Sequence, residues 1–258
     1  MSCCPVTALP PLEGDGGVSG VLKTYNGTTM YVAAPATGSS SVGVISLPDI
    51  LGLDSGRIKA DAENLAKIGY AVAVVDVTHG DYLGLDFMPH LKDWAAKNSF
   101  EEVVGARLRD AINFLQGEFH VTSIVTVGYC WGGWIGAQQS ALPEPVIKGN
   151  VSFHPSWALE NMIKGDGAVE KLAERINVPQ LLLAAGDDPA FVRADGSVHK
   201  ILAAKPGVVG AHSNVIDFPD MNHGWVNRGE LEKPGVKDAV AKAWHTAIKF
   251  IQTVAPQQ

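Results

Sequence analysis

Short apolar runs alternate along this chain with longer stretches whose apolar residues recur every three or four positions. Residues 30–33, 42–47, 71–77, 123–127, 150–153, 180–184 and 214–218 read as strands. They are too short for helices and too uniformly apolar for strands with one wet face, so they predict a sheet covered on both sides. Between them, Phe100, Val104, Leu108, Ala111 and Leu115 recur at helical spacing. Ser99, with Glu102 three residues on, reads as a capping box that starts this helix. Val236, Val240, Trp244, Ala247 and Ile251 repeat the pattern near the end of the chain. Strands separated by helices predict right-handed crossovers and an α/β fold, with a mainly parallel central sheet and helices on both faces. Residues 1–20, rich in Pro and Gly, read as an irregular lead-in, and residues 21–258 as a single domain.

Composition narrows the function. The formal charge of −7 and the scattering of Lys and Arg argue against a nucleic-acid or anionic-membrane partner. No apolar run approaches the roughly 20 residues that span a bilayer. The first residues lack the basic and apolar regions of a signal peptide. Three cysteines, two of them adjacent at Cys3 and Cys4, cannot build a disulfide framework. A reducing, cytoplasmic setting is expected, in which Cys130 persists as a free thiol. No histidine pair has metal-ligand spacing, so no metal and no cofactor is expected. Monomer and homodimer both remain open.

The stretch "VGYCWGGWIG", residues 127–136, closes one apolar run and opens a helix. A nucleophile at such a turn sits in a strained conformation, so side chains two positions either side would collide with it. Gly128 and Gly132 occupy those two positions, and Gly133 lets the following helix pack close. The helix N-terminus favours a thiolate and a developing oxyanion. The G-x-G-x-x-G spacing of a dinucleotide site is absent. In this architecture an acid and then a histidine follow the nucleophile, each after a later strand. Asp187 and Asp188 follow the run at 180–184, and Asp188 is favoured as the acid. His223 follows the run at 214–218 and is expected as the general base. His79 and His154 also follow strands and could line the same cleft. The oxyanion donors are expected at the backbone of Trp131 and, in "SLPDILGL", of Ile50.

With G-Y-C-W-G-G at 128–133, G-D-D at 186–188 and N-H-G-W-V-N-R at 222–228, the chain resembles the dienelactone hydrolases. These are carboxymethylenebutenolidase-like proteins of the α/β-hydrolase fold, and the resemblance covers about residues 28–254. "SLPDILGL" and "DVTHGDYLGLD" are similar too, and D-x-x-H-G-D and H-G-W look like the eukaryotic branch. The resemblance implies a triad of Cys130, Asp188 and His223, with oxyanion donors at Ile50 and Trp131. It places Asp49 where the family has a glutamate that touches the resting thiol. Where bacterial members carry substrate-gripping arginines, this chain has His79-Gly80 and Asn227, with Arg228 next.

The expected activity is hydrolysis of a small ester, lactone or thioester through a thioester acyl-enzyme. Tyr82, Phe87, Trp131 and Trp225 could line an apolar pocket, and Arg228 could grip a substrate carboxylate. Two other functions suit the same residues: a small-molecule receptor without turnover, and a redox-sensing thiol.

Overall fold

The computed structural model describes residues 5, 7–10, 19–84 and 86–257. Cys3 and Cys4, and most of the expected lead-in, lie outside the described residues. Among the described residues eight strands form one sheet: β1 (Val21–Tyr25), β2 (Thr28–Ala33), β3 (Val42–Leu47), β4 (Ala71–Val75), β5 (Ser123–Tyr129), β6 (Ile147–Phe153), β7 (Gln180–Ala185) and β8 (Asn214–Phe218). Their order is β1-β2-β4-β3-β5-β6-β7-β8. From β4 to β8 every pair is parallel, while β1–β2 and β2–β4 are antiparallel. The helices are α1 (Ile58–Lys67), α2 (Leu91–Lys97), α3 (Gly105–Phe119), α4 (Trp131–Ser140), α5 (Ala158–Lys164), α6 (Ala168–Arg175), α7 (Ser197–Ala203), α8 (Gly207–His212), α9 (Trp225–Arg228) and α10 (Val236–Val254).

The uniformly apolar strands are explained by the layers on either side. In β3, Ile45 and Leu47 point into a core shared with Leu108 of α3, Ile135 of α4 and Leu172 of α6. Val42 and Val44 point the other way, toward Leu65 of α1 and Ile251 of α10. Both faces are dry, so neither half of the strand alternation needs a polar residue. The fold is α/β, as the spacing of the runs predicts.

Two elements differ from the pattern. The strand β1 is absent from the apolar runs because all five of its residues are exposed. It is held by a two-residue hairpin at Asn26-Gly27, whose φ angles of 49° and 81° match the left-handed turn that this dipeptide favours. The helix expected over 100–115 starts as a π-helical turn, Phe100–Val104, before α3 proper begins at Gly105 and runs on to Phe119. The Ser99 side chain accepts from the Glu102 N–H at 3.3 Å, the first half of the expected capping box.

Gly27→Val places a β-branched side chain at φ 81° and strains the hairpin. It is expected to cost about 1–2 kcal/mol, read as a lower urea midpoint with an unchanged slope.

Candidate active site

The parallel strands β3 to β8 end on one rim, and their loops bring the chemistry-bearing residues together there. Between β5 and α4 the chain turns at Cys130, whose φ of 54° and ψ of −113° are rarely adopted by a residue with a side chain. Its N–H donates to the Phe153 carbonyl at 3.0 Å, and its carbonyl accepts from Gly133 and Ser156, each at 3.1 Å. The flanking glycines are sterically required. A Cβ on Gly132 would lie 2.1 Å from the Leu47 carbonyl oxygen, and one on Gly128 would lie 2.2 Å from the Gly132 carbonyl carbon.

Behind the thiol stands His223, fully buried, in the loop after β8. Its Nδ1 lies 2.6 Å from Asp188 Oδ1. Asp188 Oδ2 in turn accepts from the Ala185 N–H at 2.7 Å, which fixes the carboxylate. Asp187 faces the other way: its carboxylate accepts from the backbone N–H of His223 at 2.7 Å and from the Thr7 hydroxyl. The two adjacent acids therefore divide the work, one on the ring and one on the backbone. Residues 7–9 add to this clamp, since Leu9 N–H donates to the His223 carbonyl and Asn222 Nδ2 to the Thr7 carbonyl. That part of the lead-in is docked on the histidine loop.

Burial alone pushes His223 down, but negative charge on Cys130 and then on Asp188 outweighs it and raises the ring to about 10. A second imidazole, His154, meets it edge to face with ring centroids 4.8 Å apart. His154 is buried at φ 38°, and neither ring nitrogen has a hydrogen-bond partner of normal length among the described residues. Burial pushes its pKa well below the histidine range, and the charges of His223 and Arg228 push the same way, against the Asn227 amide beside it. At neutral pH it is an uncharged ring against a charged one.

Other residues expected at the site take several places. Ile50, on the loop after β3, lies in the core cluster that also holds Cys130 and Trp131. The Ile50 carbonyl accepts from Leu83 N–H at 2.9 Å, which pins this loop to the one after β4. Trp131 opens α4, where the first N–H groups have no partner within the helix, and its ring packs on Trp94 at 4.6 Å. Phe87 is half-buried against the same cluster. Tyr82 is half-buried over Gly52, and burial, then Asp76, holds its hydroxyl above the usual tyrosine range. His79 is exposed at φ 58°.

Asp49 is buried, with Oδ1 accepting from Leu51 N–H and Oδ2 from Ser55 Oγ at 2.8 Å and Asn227 Nδ2 at 3.0 Å. Arg228 Nε stands 3.4 Å from the same Oδ2, so its charge is directed at Asp49 rather than at open solvent. Trp225 is fully buried against Phe218, with rings 4.5 Å apart, and its edge lines a cavity shared with Leu9, Met221 and Arg228. The residue that the sequence reading missed is Ser156, whose Oγ lies 3.0 Å from Cys130 Sγ and 3.5 Å from His223 Nε2. Its only signal was a place two residues past His154. Arg57 was missed as well. Buried, it donates to the carbonyls of Val226 at 2.7 Å and Gly229 at 2.6 Å, closing the end of α9. Among the described residues no cluster of three or more His, Cys, Asp or Glu could hold a metal ion, and no helix is long and apolar enough to cross a membrane.

A sequence model of the dienelactone hydrolase family matches residues 29–255. The chain belongs to this hydrolase family. It is 24% identical over 258 residues to the hydrolase tropI of Talaromyces stipitatus, covering 96% of this chain and 94% of that protein. It is 29% identical over 240 residues to the hydrolase pyvD of Aspergillus violaceofuscus, covering 88% and 90%. A crystal structure of a putative dienelactone hydrolase from Klebsiella pneumoniae superposes with a TM-score of 0.64 at 17% identity, covering 91% of this chain and 99% of that one. That likeness gives the α/β-hydrolase fold.

Removing the sulfur removes the largest influence that raises His223. In Cys130→Ala the ring is expected to titrate well below about 10, back toward the ordinary value near 6.5, as followed by nitrogen NMR of the histidine side chains. A second expectation concerns the turn itself. Gly132→Ala drives a methyl group into the Leu47 backbone and is expected to cost about 1–3 kcal/mol, measured by chemical denaturation.

Proposed function

We propose that this protein hydrolyses a small ester, lactone or thioester through a covalent thioester on Cys130, with His223 as acid and base and Asp188 as its orienting partner. The observation that carries the reading is the 2.6 Å contact between Asp188 and His223 Nδ1, behind a thiol held on a strained strand-to-helix turn. Asp188 keeps the Nδ1 proton toward itself, which turns Nε2 toward the thiol. His223 takes the thiol proton, and the resulting ion pair is the resting form that a raised imidazole favours.

The thiolate attacks the carbonyl carbon, and the carbonyl electron pair moves onto oxygen. The N–H groups of Trp131 and Ile50 receive that oxyanion. When the intermediate collapses, the bond to the leaving group breaks and the His223 imidazolium protonates the departing alkoxide or thiolate. A water then gives its proton to His223 while its oxygen attacks the thioester. The second intermediate expels the Cys130 thiolate, releasing the acid and restoring the ion pair. For a lactone, leaving group and acid remain one molecule, so ring opening is the whole reaction.

The test is turnover of small aryl esters, simple lactones and acyl thioesters by the parent, Cys130→Ala and Asp188→Asn. Cys130→Ala is expected to lose at least about 10⁴-fold in kcat, and Asp188→Asn about 10³–10⁴-fold. Intact mass spectrometry of the parent, quenched during turnover of a slow ester, is expected to show one acyl group on Cys130. Parental rates in Cys130→Ala would overturn the reading.

A further inference from the structure

The loop after β6 brings a second hydroxyl-bearing side chain to the sulfur. Ser156 is fully buried, its N–H donates to the Cys130 carbonyl at 3.1 Å, and its Oγ reaches Sγ at 3.0 Å and His223 Nε2 at 3.5 Å. The backbone bond fixes serine and cysteine to each other, so the oxygen–sulfur contact follows from how the two turns are joined. We propose that Ser156 is a further catalytic residue, whose hydroxyl donates to the Cys130 thiolate and thereby sets the pH at which the nucleophile becomes charged. The proposal rests on Cys130 being the nucleophile, and it adds a donor that the three-residue constellation does not contain.

The direction of the hydroxyl proton follows from donor counting. A serine hydroxyl has one proton to give and two lone pairs. An imidazolium carries protons on both nitrogens and accepts nothing, so with His223 charged the hydroxyl cannot donate to Nε2. Its proton goes to the anionic sulfur, and its lone pair is left facing Nε2–H. The thiolate is then held by two donors, the ring and the hydroxyl, in addition to the N-terminus of α4. Once an acyl group is on the sulfur, the charge is gone and Nε2 is an acceptor, so the hydroxyl loses its reason to point at sulfur. The contribution is therefore concentrated in the acylation half of the cycle.

The charged and titratable groups near this thiol are His223 with its Asp188, His154 edge-on to His223, and the Asp49–Arg228 pair beside His154. Changing Ser156 removes its 3.5 Å contact with His223 Nε2 and leaves the contacts of the other groups in place, so the readout is taken at the sulfur itself.

The experiment follows the ultraviolet absorbance of the thiolate against pH in the parent, Ser156→Ala and Ser156→Thr, with Cys130→Ala as the blank. Alkylation by iodoacetamide, in which the thiolate forms a carbon–sulfur bond as iodide leaves, gives a parallel rate profile. A hydrogen bond to a charged group is worth enough to raise the Ser156→Ala midpoint by about one pH unit and to slow alkylation about tenfold at pH values below the parental midpoint. Ser156→Thr, which keeps the hydroxyl, is expected to restore the parental midpoint. With an activated ester at pH values below the parental midpoint, the initial burst slows in Ser156→Ala, while the later steady release changes little. A purely structural role would lower the melting temperature and leave the midpoint where it was, and that outcome overturns the proposal. Should Ser156→Ala fail to fold, Ser156→Gly supplies the same comparison. The two readings fail separately: parental ester turnover by Cys130→Ala defeats the nucleophile, whereas an unmoved midpoint with an inactive Cys130→Ala defeats only the serine.

Discussion

One backbone turn governs the candidate site. Cys130 occupies a conformation that costs on the order of 1–3 kcal/mol for a residue with a side chain, and the structure around it leaves no alternative. Its N–H is held by β6, and its carbonyl by α4 and by the segment that follows β6. On either side, Gly128 and Gly132 let backbone approach backbone within distances that any Cβ would violate. Relaxing the turn would swing the sulfur off the rim, break the bond to Ser156 N–H and separate α4 from β3. The strain is local, and the packing that resists it is spread over three strands and a helix.

That steric argument is why the strained turn at Cys130 was legible in the sequence. Glycines at fixed offsets from a cysteine report a backbone requirement, and backbone requirements survive in a string of letters. The parallel strands were legible for a related reason, since β3 is dry on both faces and its letters say so. The strand β1 was not, because its residues are exposed and carry no burial signal. Its readable mark was the Asn26-Gly27 pair, which belongs to the turn rather than to the strand. The sequence favoured Asp188 over Asp187 as the acid, but the contact that Asp187 makes to the His223 backbone was not legible, since it depends on which way the backbone presents each carboxylate. Ser156, Arg57 and the pairing of Asp49 with Arg228 were beyond reach for another reason. Each depends on how loops distant in sequence meet, and none leaves a local pattern.

The electrostatics of the site turn on two imidazoles in contact that are driven in opposite directions. His223 gains charge from the negative groups on either side of it, and His154 loses charge through burial and through that same neighbour. Their separation of 4.8 Å makes the two states interdependent, because protonating both rings would place like charges together in a dry region. A neutral His154 thus belongs to the same arrangement as a charged His223. Membership of the dienelactone hydrolase family supplies the fold and the class of chemistry, and these local charges distinguish one residue's task from another's.

Arg57 ends the helix α9 from a different part of the chain. Its guanidinium reaches across to the carbonyls of Val226 and Gly229, and its own N–H donates to the Asn227 carbonyl. The stretch that bears Ile50 and the stretch that bears His223 are riveted by this interior cation, with Arg228 on Asp49, and Asp49, Ser55 and Asn227 together, as further fastenings. The two loops are consequently tied to each other, so a displacement of either is passed to its partner.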